Sequence, residues 1–492
     1  MLARTMLLST TAAFSLISPQ APAGQPTPID MGNRRELLVD HFLIDQLDNV
    51  QLVLNRPRDE GPVILFDQPW EGLFCGYCTM IKDGDRFMAY YRGRPEPGAD
   101  GDPGEVYCLA ESKDGIRWTK PQLDLFPMPG HEKNNIILAN AAPVTHNFSP
   151  LLDTRPGVPA QQRFKALGGT MESGLIAWTS PDGVHWNKLR QEAVLTKPMV
   201  PFPYMFDSQN LAFWSAAEQK YLCYFRVFND GIRRICRTTS DDFLTWTDPV
   251  LMEYEQNGRP APVEHLYTNQ THPYFRAPHI YVATAARFMP GRQVLTEEQA
   301  KAIHVNPKYF NDTSDAVLLT TRGGSVYQRT FLSGFIRPGI GATNWVSRTN
   351  YPALNIVQTG PAEMSLYVNQ DYAQPTAHLR RYSMRLDGLA SARAEYAGGE
   401  LLTKPITFAG KHLSINFATS APGGIRAEIQ TADGKPIPNF ALDDCREQIG
   451  NEIDRIVAWK GGDDVSSLAG QPVRLRFAMK DADLYALQFQ EQ

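Results

Sequence analysis

Cysteine is scarce in this sequence and forms no framework. Cys75, Cys78, Cys108, Cys223, Cys236 and Cys445 are scattered over 492 residues. Cys75 and Cys78 make a C-x-x-C, yet no second pair and no C-H partner follows, which argues against a zinc site. On a strand the two would point to opposite faces, so a bridge between them is awkward and buried free thiols are expected. A large excess of one charge is also missing. The formal net charge is -5, which points to neither nucleic acid nor an anionic membrane surface as partner. Beyond the N-terminus no apolar run is long enough to span a bilayer. Nothing in these patterns calls for a cofactor or a metal, Ca2+ included.

What the chain does have is β texture punctuated by turns. The N-terminal "MLARTMLLSTTAAFSLISPQAPAGQ" has the basic, apolar and small-residue parts of a signal peptide over residues 1–24, so a secreted or periplasmic protein is expected. A frame of Ser, Asp and Trp then occurs three times: "SKDGIRW" from Ser112, "SPDGVHW" from Ser180 and "SDDFLTW" from Ser240. Each sits between short β-type runs, where Asp-Gly favours a tight turn and the Trp offers apolar surface to a neighbouring sheet. The frames lie 68 and 60 residues apart, a spacing that suits four-stranded sheets with generous loops. Two degenerate copies follow, the last borrowing an outer strand from the N-terminal "RELLVDHFLID". The reading is therefore all-β: a five-bladed β-propeller over residues 35–395, then a C-terminal β-sandwich over 396–492.

The long loops should mark the working face, because irregular segments held on a rigid scaffold usually carry function. "RGRPEPGADGDPGE" from Arg92 and "RFMPGRQVLTEEQAKAIHVNPKYFNDTSD" from Arg287 both feed a third strand of a blade. "TEEQ" from Thr296 reads as a capping box ahead of a short helix. Aligning the inner strands by their apolar cores gives a polar ring: "CGYC" from Cys75, "HNFS" from His146, "DSQN" from Asp207, "NQTH" from Asn269 and "PAEM" from Pro361. Asp207 and Glu363 are its carboxylates, with Glu71 and Glu264 slightly upstream. A second tier holds Glu105, Glu172, Asp230 and Asp315.

Two carboxylates facing one another across a cleft are the minimum for glycosidic hydrolysis, one protonating the leaving oxygen while the other attacks or activates water. Asp207 is the candidate base or nucleophile and Glu363 or Glu71 the candidate proton donor; each has the alternative of capping a strand or a turn. His146, Asn147, Gln209, Glu264, Asn269, His272, Asp315, Trp345 and Arg348 are the candidates for substrate contact. A mouth of acids, His, Asn and aromatics with few lysines suits a neutral polyhydroxylated ligand.

"PWEG" from Pro69, the strand "DGDRFMAYYRG" from Asp83, the S-x-D-G-x-x-W frames and "FDSQN" from Phe206 resemble the five-bladed propeller glycoside hydrolases of families 32, 43, 117 and 130. They also resemble proteins with a family 32 N-terminal-like region, and "RELLVDHFLID" at the start with "KDADLYALQF" at the end resembles a set found in secreted proteins of planctomycete-type bacteria. The resemblance covers residues 35–395. It implies a secreted, exo-acting hydrolase of plant or algal poly- or oligosaccharide that uses paired carboxylates in the axial pocket. The first inner strand, "LFCGYCTMI", lacks the catalytic Asp those families place there, and neither an "ECP" nor an "EGP" motif occurs. The frames also resemble the sialidase Asp box, which implies an arginine triad and a Tyr nucleophile; Arg276, Arg348 and Tyr267 are the residues to weigh. A non-catalytic carbohydrate-binding propeller is the remaining alternative.

Overall fold

The computed structural model describes residues 27–491, so the signal peptide read over 1–24 lies outside the described residues. Short alternating strands joined by tight turns produce five sheets of mainly antiparallel neighbours; in the fourth, Glu253–Gln256 adds a parallel partner to Val326–Gln328. Sheet I comprises Gly76–Asp83, Arg86–Gly93, Val106–Ser112 and Ile136–Leu138; sheet II comprises Ser149–Leu152, Phe164–Gly168, Ile176–Ser180 and Asn187–Lys188. Sheet III comprises Leu211–Ser215, Lys220–Asn229, Ile232–Ser240 and Val250–Leu251. Sheet IV starts from Leu266–Thr268 and Thr271–Tyr274 and continues through Ala277–Met289, Thr313–Thr321 and Val326–Gln328. Sheet V starts from Tyr351–Pro352 and Val357–Gln358 and continues through Glu363–Gln370 and His378–Arg385.

Sheet V is completed from the other end of the chain. Arg58–Leu65 pairs antiparallel with His378–Arg385, from His378 opposite Leu65 to Ser383 opposite Arg58. The first strands of all five sheets line two cavities, one formed at their starts and one at their ends, which defines a common axis. The fold is all-β and propeller-type.

Three details differ from the sequence reading. The closing strand is "RDEGPVIL", not "RELLVDHFLID": Glu36–Leu37 pairs instead with the strand Val473–Gln490. Residues 29–54, which the sequence reading placed in the propeller from Arg35 onward, contribute four strands to a ten-stranded sheet with the C-terminal segment and with Ala390–Ala394. In that sheet the long strands His412–Thr431 and Val473–Gln490 run side by side over a core that includes Phe417, Ile425, Trp459 and Phe477. Finally, the "SLY" core belongs to the second strand of sheet V, so the fifth member of the polar ring was aligned to the wrong strand.

The three repeated frames share one local geometry between the third and fourth strands of sheets I, II and III. The serine hydroxyl donates to the aspartate at 2.9 Å (Ser112 to Asp114), 3.0 Å (Ser180 to Asp182) and 3.0 Å (Ser240 to Asp242). Each aspartate accepts two backbone N–H bonds, such as those of Val184 and His185 at 2.9 Å to Asp182. Each indole N–H of Trp118, Trp186 and Trp246 donates back to the carbonyl of Gly115, Gly183 and Phe243 at 3.2, 3.1 and 3.2 Å. The frames are turn locks, and their carboxylates are consumed in holding backbone.

The position before the last three residues of each frame lies in the left-handed region, at φ +72° for Gly115, +77° for Gly183 and +69° for Phe243. A Cβ on Gly183 would also collide with the Tyr90 hydroxyl of the adjacent sheet, whereas Gly258, at φ +74°, faces open space. Gly183→Ala should therefore destabilise the protein by about 2–3 kcal/mol and Gly258→Ala by only about 1 kcal/mol. Chemical denaturation of the two variants checks this; equal losses would show that the contact with Tyr90 is not limiting.

Candidate active site

The cavity at the strand starts has a volume of about 190 Å³ and opens on one side. Tyr77 supplies sheet I at its floor, His146 sheet II, Gln209 sheet III, Tyr267 and Gln270 sheet IV, and Tyr351 sheet V. The two long loops meet over it, Pro97, Gly98 and Asp100 from one and Tyr309 from the other, as the sequence led us to expect. The helix Glu297–Ala302 in the second loop has both bonds of the expected capping box, Gln299 N–H to the Thr296 hydroxyl at 3.2 Å and Thr296 N–H to the Gln299 side chain at 3.0 Å. Leu295, Ala300 and Val305 pin that loop against Phe74 and Tyr372.

Glutamines seal the floor. Gln209 donates to the Thr79 hydroxyl at 3.0 Å, while Gln270 donates to the Gln209 side-chain oxygen and to the Pro352 carbonyl, each at 2.7 Å. All three side chains are fully buried; both amide N–H groups and the Gln209 oxygen find partners in the plug, whereas the Gln270 side-chain oxygen has none among the described residues.

Asp207 borders the cavity. Phe206, at φ +67° and packed on Phe225, turns the chain so that the Asp207 carboxylate meets Arg226 in an ion pair. The Tyr77 hydroxyl donates to the Asp207 backbone carbonyl at 3.1 Å. Burial alone would raise the Asp207 pKa, but Arg226 foremost, then His146, Arg348 and Arg233, hold it below the usual carboxylate range. Asp207 is thus an ionised carboxylate.

Beside it stands His146. Its Nδ1 lies 2.9 Å from the buried Glu105, which also pairs with Arg94, and 3.2 Å from the Arg92 guanidinium. Burial would raise the Glu105 pKa, and the hydrogen bond from His146 together with Arg92 and Arg94 lowers it instead. Among the described residues no group bonds to Nε2, and an Asp100 oxygen lies 3.6 Å from it. Ligand atoms of Asp100, His146 and Asp207 all lie within 4.8 Å of one another, making them the group among the described residues that could hold a cation.

Of the residues selected from sequence, Asp207, His146, Gln209 and Arg348 come together here. Asn147 and Asn269 lie just behind, fully buried: Asn147 donates to Gly169 O at 2.9 Å and Asn269 accepts from Thr271 N–H at 3.0 Å. Glu71 does not reach the cavity. It is fully buried, bound to Lys120 at 2.6 Å and to the Tyr91 hydroxyl at 2.6 Å, because a buried carboxylate must be paired. Glu363 begins an eight-residue strand whose other end, Asn369, lines the cavity, which puts Glu363 about 20 Å away, bound to Arg381. Glu264 is held by Arg287 at 3.0 Å and Arg329 at 2.8 Å; Asp315 is held by Arg287 at 2.6 Å and, with Trp345, lines a separate outer depression. His272 lines the cavity at the opposite end of the axis. Arg276, weighed for a sialidase arrangement, is engaged by Asp387 and Asp454.

No protein-family model matches the chain, and no curated protein matches it. Solved structures similar to it include a glycoside hydrolase at 9% identity, covering 67% of this chain and 92% of its own with a TM-score of 0.43. Others are an N-acetylgalactosamine deacetylase from F. plautii (14% identity, 74% and 95% coverage, TM-score 0.40) and an alpha-L-arabinofuranosidase from Clostridium thermocellum (11%, 62% and 88%, TM-score 0.40). At these values the chemistry of the site rests on its own residues.

Sequence reasoning missed Arg92, Arg226, Asp100, Tyr77, Tyr309 and Tyr372. A signal for the arginines was present: Arg92 in "FMAYYRG" and Arg226 in "YLCYFRVF" interrupt apolar strands, where a charged residue needs a partner.

Two outcomes follow from the displaced residues. Burial pushes the His272 pKa down to about 4, from an ordinary 6.5, while Nδ1 bonds Gln270 O at 2.8 Å and Nε2 accepts from Ile356 N–H at 3.1 Å. The unfolded chain binds that proton first, so stability should fall as pH drops from 6.5 towards 4, by up to about 3 kcal/mol. His272→Asn should flatten that part of the stability–pH curve measured by urea denaturation. Glu71→Gln should cost about 3 kcal/mol of stability by removing the buried charge that Lys120 meets, leaving Lys120 only the more exposed Asp67 at 2.8 Å, yet leave ligand affinity at the axial cavity unchanged in calorimetry.

Proposed function

We propose that the axial cavity hydrolyses a glycosidic bond, taking one terminal sugar ring beneath the two loops. The observation that carries this reading is the approach of the Asp207 and Asp100 carboxylates to within 4.8 Å at one side of a tyrosine-lined cavity. Tyr77, Tyr267, Tyr309 and Tyr372 offer apolar faces to a sugar ring, and Gln270 and Asn369 offer polar groups for its hydroxyls. Asp207, ionised, attacks the anomeric carbon. Asp100, more than half exposed in the free protein, is covered by the bound substrate and, in its protonated form, delivers its proton to the leaving oxygen. Water then cleaves the glycosyl–Asp207 ester, with Asp100 taking its proton. Carboxyl groups this close suit direct attack better than an intervening water, which corresponds to retention of configuration. With an N-terminal leader, the protein would act outside the cytoplasm.

Binding without turnover is the second reading, favoured by the ion pair that ties Asp207 to Arg226. Asp207→Asn and Asp100→Asn decide between them. Each should lower the turnover of a cleavable glycoside about 10²–10⁴-fold while far-ultraviolet circular dichroism is unchanged. Proton NMR of the first-formed product should show the anomer of the substrate. Undiminished cleavage by both variants would remove the carboxylate pair from the mechanism, and sugar binding with no cleavage by the wild type would leave the binding reading.

A further inference from the structure

We infer that the sugar taken by this cavity carries an anionic substituent, a carboxylate or a sulfate ester, and that Arg348 receives it. This rests on the proposed carbohydrate site and names its ligand class. Its basis is the charge inventory around the cavity. Four arginines at the cavity, Arg92, Arg94, Arg226 and Arg348, with Arg233 close behind, face three carboxylates, Asp100, Glu105 and Asp207, so positive charge is in excess.

The pairing identifies which of the four is unengaged. Arg94 is bound to Glu105, and Arg92 lies 3.8 Å from the same carboxylate while donating to Phe74 O at 3.1 Å. Arg226 is bound to Asp207. Among the described residues Arg348 makes no side-chain hydrogen bond and no ion pair, although it lines the cavity. Its guanidinium is held by stacking alone, 5.0 Å from the Tyr309 ring and 5.7 Å from that of Tyr267.

An arginine of this kind is set for a planar or trigonal oxyanion. Its donors are arranged as a fixed fork that matches a carboxylate in two bonds, and stacking on two rings restricts its rotation before any ligand arrives. The backbone supports the aim. Arg348 has φ +58°, a conformation that a non-glycine residue adopts only where its surroundings impose it, and Ser347 N–H bonds to Tyr309 O at 2.9 Å just before it. The same Tyr309 therefore fixes the backbone and carries the guanidinium. A neutral sugar would leave these donors to water in a half-enclosed site, whereas an oxyanion would engage them. The scarcity of lysine at the mouth, which suggested a neutral ligand from sequence, is offset by arginines that arrive from within the strands.

Isothermal titration calorimetry of the full chain tests this without requiring turnover. The probes are methyl glucuronide, methyl glucoside 6-sulfate and methyl glucoside at one ionic strength. At least one anionic probe should bind about 30-fold or more tightly than the neutral one, and that preference should shrink as salt is added. Preference for the glucuronide alone assigns a carboxylate; preference for the sulfate ester alone assigns a sulfate. Arg348→Met, which keeps the length of the side chain, should bring the anionic probe to the affinity of the neutral one. Arg348→Lys, which keeps the charge and loses the fork, should recover only part of the preference. If neither anionic probe outcompetes methyl glucoside in the wild type, or if Arg348→Met preserves the preference, the assignment falls. A preserved preference alongside full hydrolysis by Asp207→Asn would instead overturn the proposed mechanism and leave this inference standing.

Discussion

The pairing of Arg58–Leu65 with His378–Arg385 is the constraint on which the rest of the molecule depends. Four of the five sheets are built from consecutive segments and could each form locally. The fifth cannot, because its last strand precedes the first sheet in the chain. Joining strands so far apart in sequence carries a large entropy of closure, and the cost is offset only when the whole ring packs at once. Until that strand is seated, the outer side of His378–Arg385 is an open edge, and the first strands have no common axis to line. Axial cavity, glutamine plug and paired loops all exist because the ring is shut.

Closure also explains how so many charges can be carried near the axis. Arg92 and Arg226 emerge from the second strands of sheets I and III among aromatic neighbours, with Arg92 4.7 Å from Tyr77 and Arg226 4.3 Å from Tyr267. Each finds its carboxylate on a different segment: Glu105 at the end of one long loop, and Asp207 just ahead of sheet III. Both pairs lie within a single sheet, but His146 and Arg348, which also hold Asp207 ionised, reach it from sheet II and from the segment ahead of sheet V, and only the ring brings those together. The electrostatic state of Asp207 is therefore a property of the tertiary fold, set in advance of any ligand.

The fold was more legible than the site, for a physical reason. Ser, Asp and Trp in a seven-residue frame interact with their own backbone, so the three turn locks could be read from local sequence. The capping box at Thr296 is local in the same way. Asp207 and His146 were found because they precede apolar inner strands at equivalent positions. Glu363 was misplaced by one strand, since "SLY" in sheet V has the same apolar texture as a true inner strand, and antiparallel neighbours reverse which end faces the axis. Glu71 looked like a free acid in "PWEG", and only its burial against Lys120 and Tyr91 reveals it as structural. Asp100 lies in a loop of Gly, Pro and Asp whose path no periodicity predicts. The strands between Glu36 and Leu54 read as propeller because nothing local distinguishes one exposed edge partner from another.

The glutamine plug has a kinetic consequence. Thr79, Gln209 and Gln270 lie on the axis between the two cavities, so the one above them is closed on that side and is reached past the loops that carry Asp100 and Tyr309. A molecule seated against the plug must be the last to leave. Whatever was attached to it has to diffuse away first, and nothing new can be threaded in from behind. Such a site works as a dead-end berth, in which the fragment retained at the bottom competes with the next arrival and residence there limits how fast the berth can be refilled.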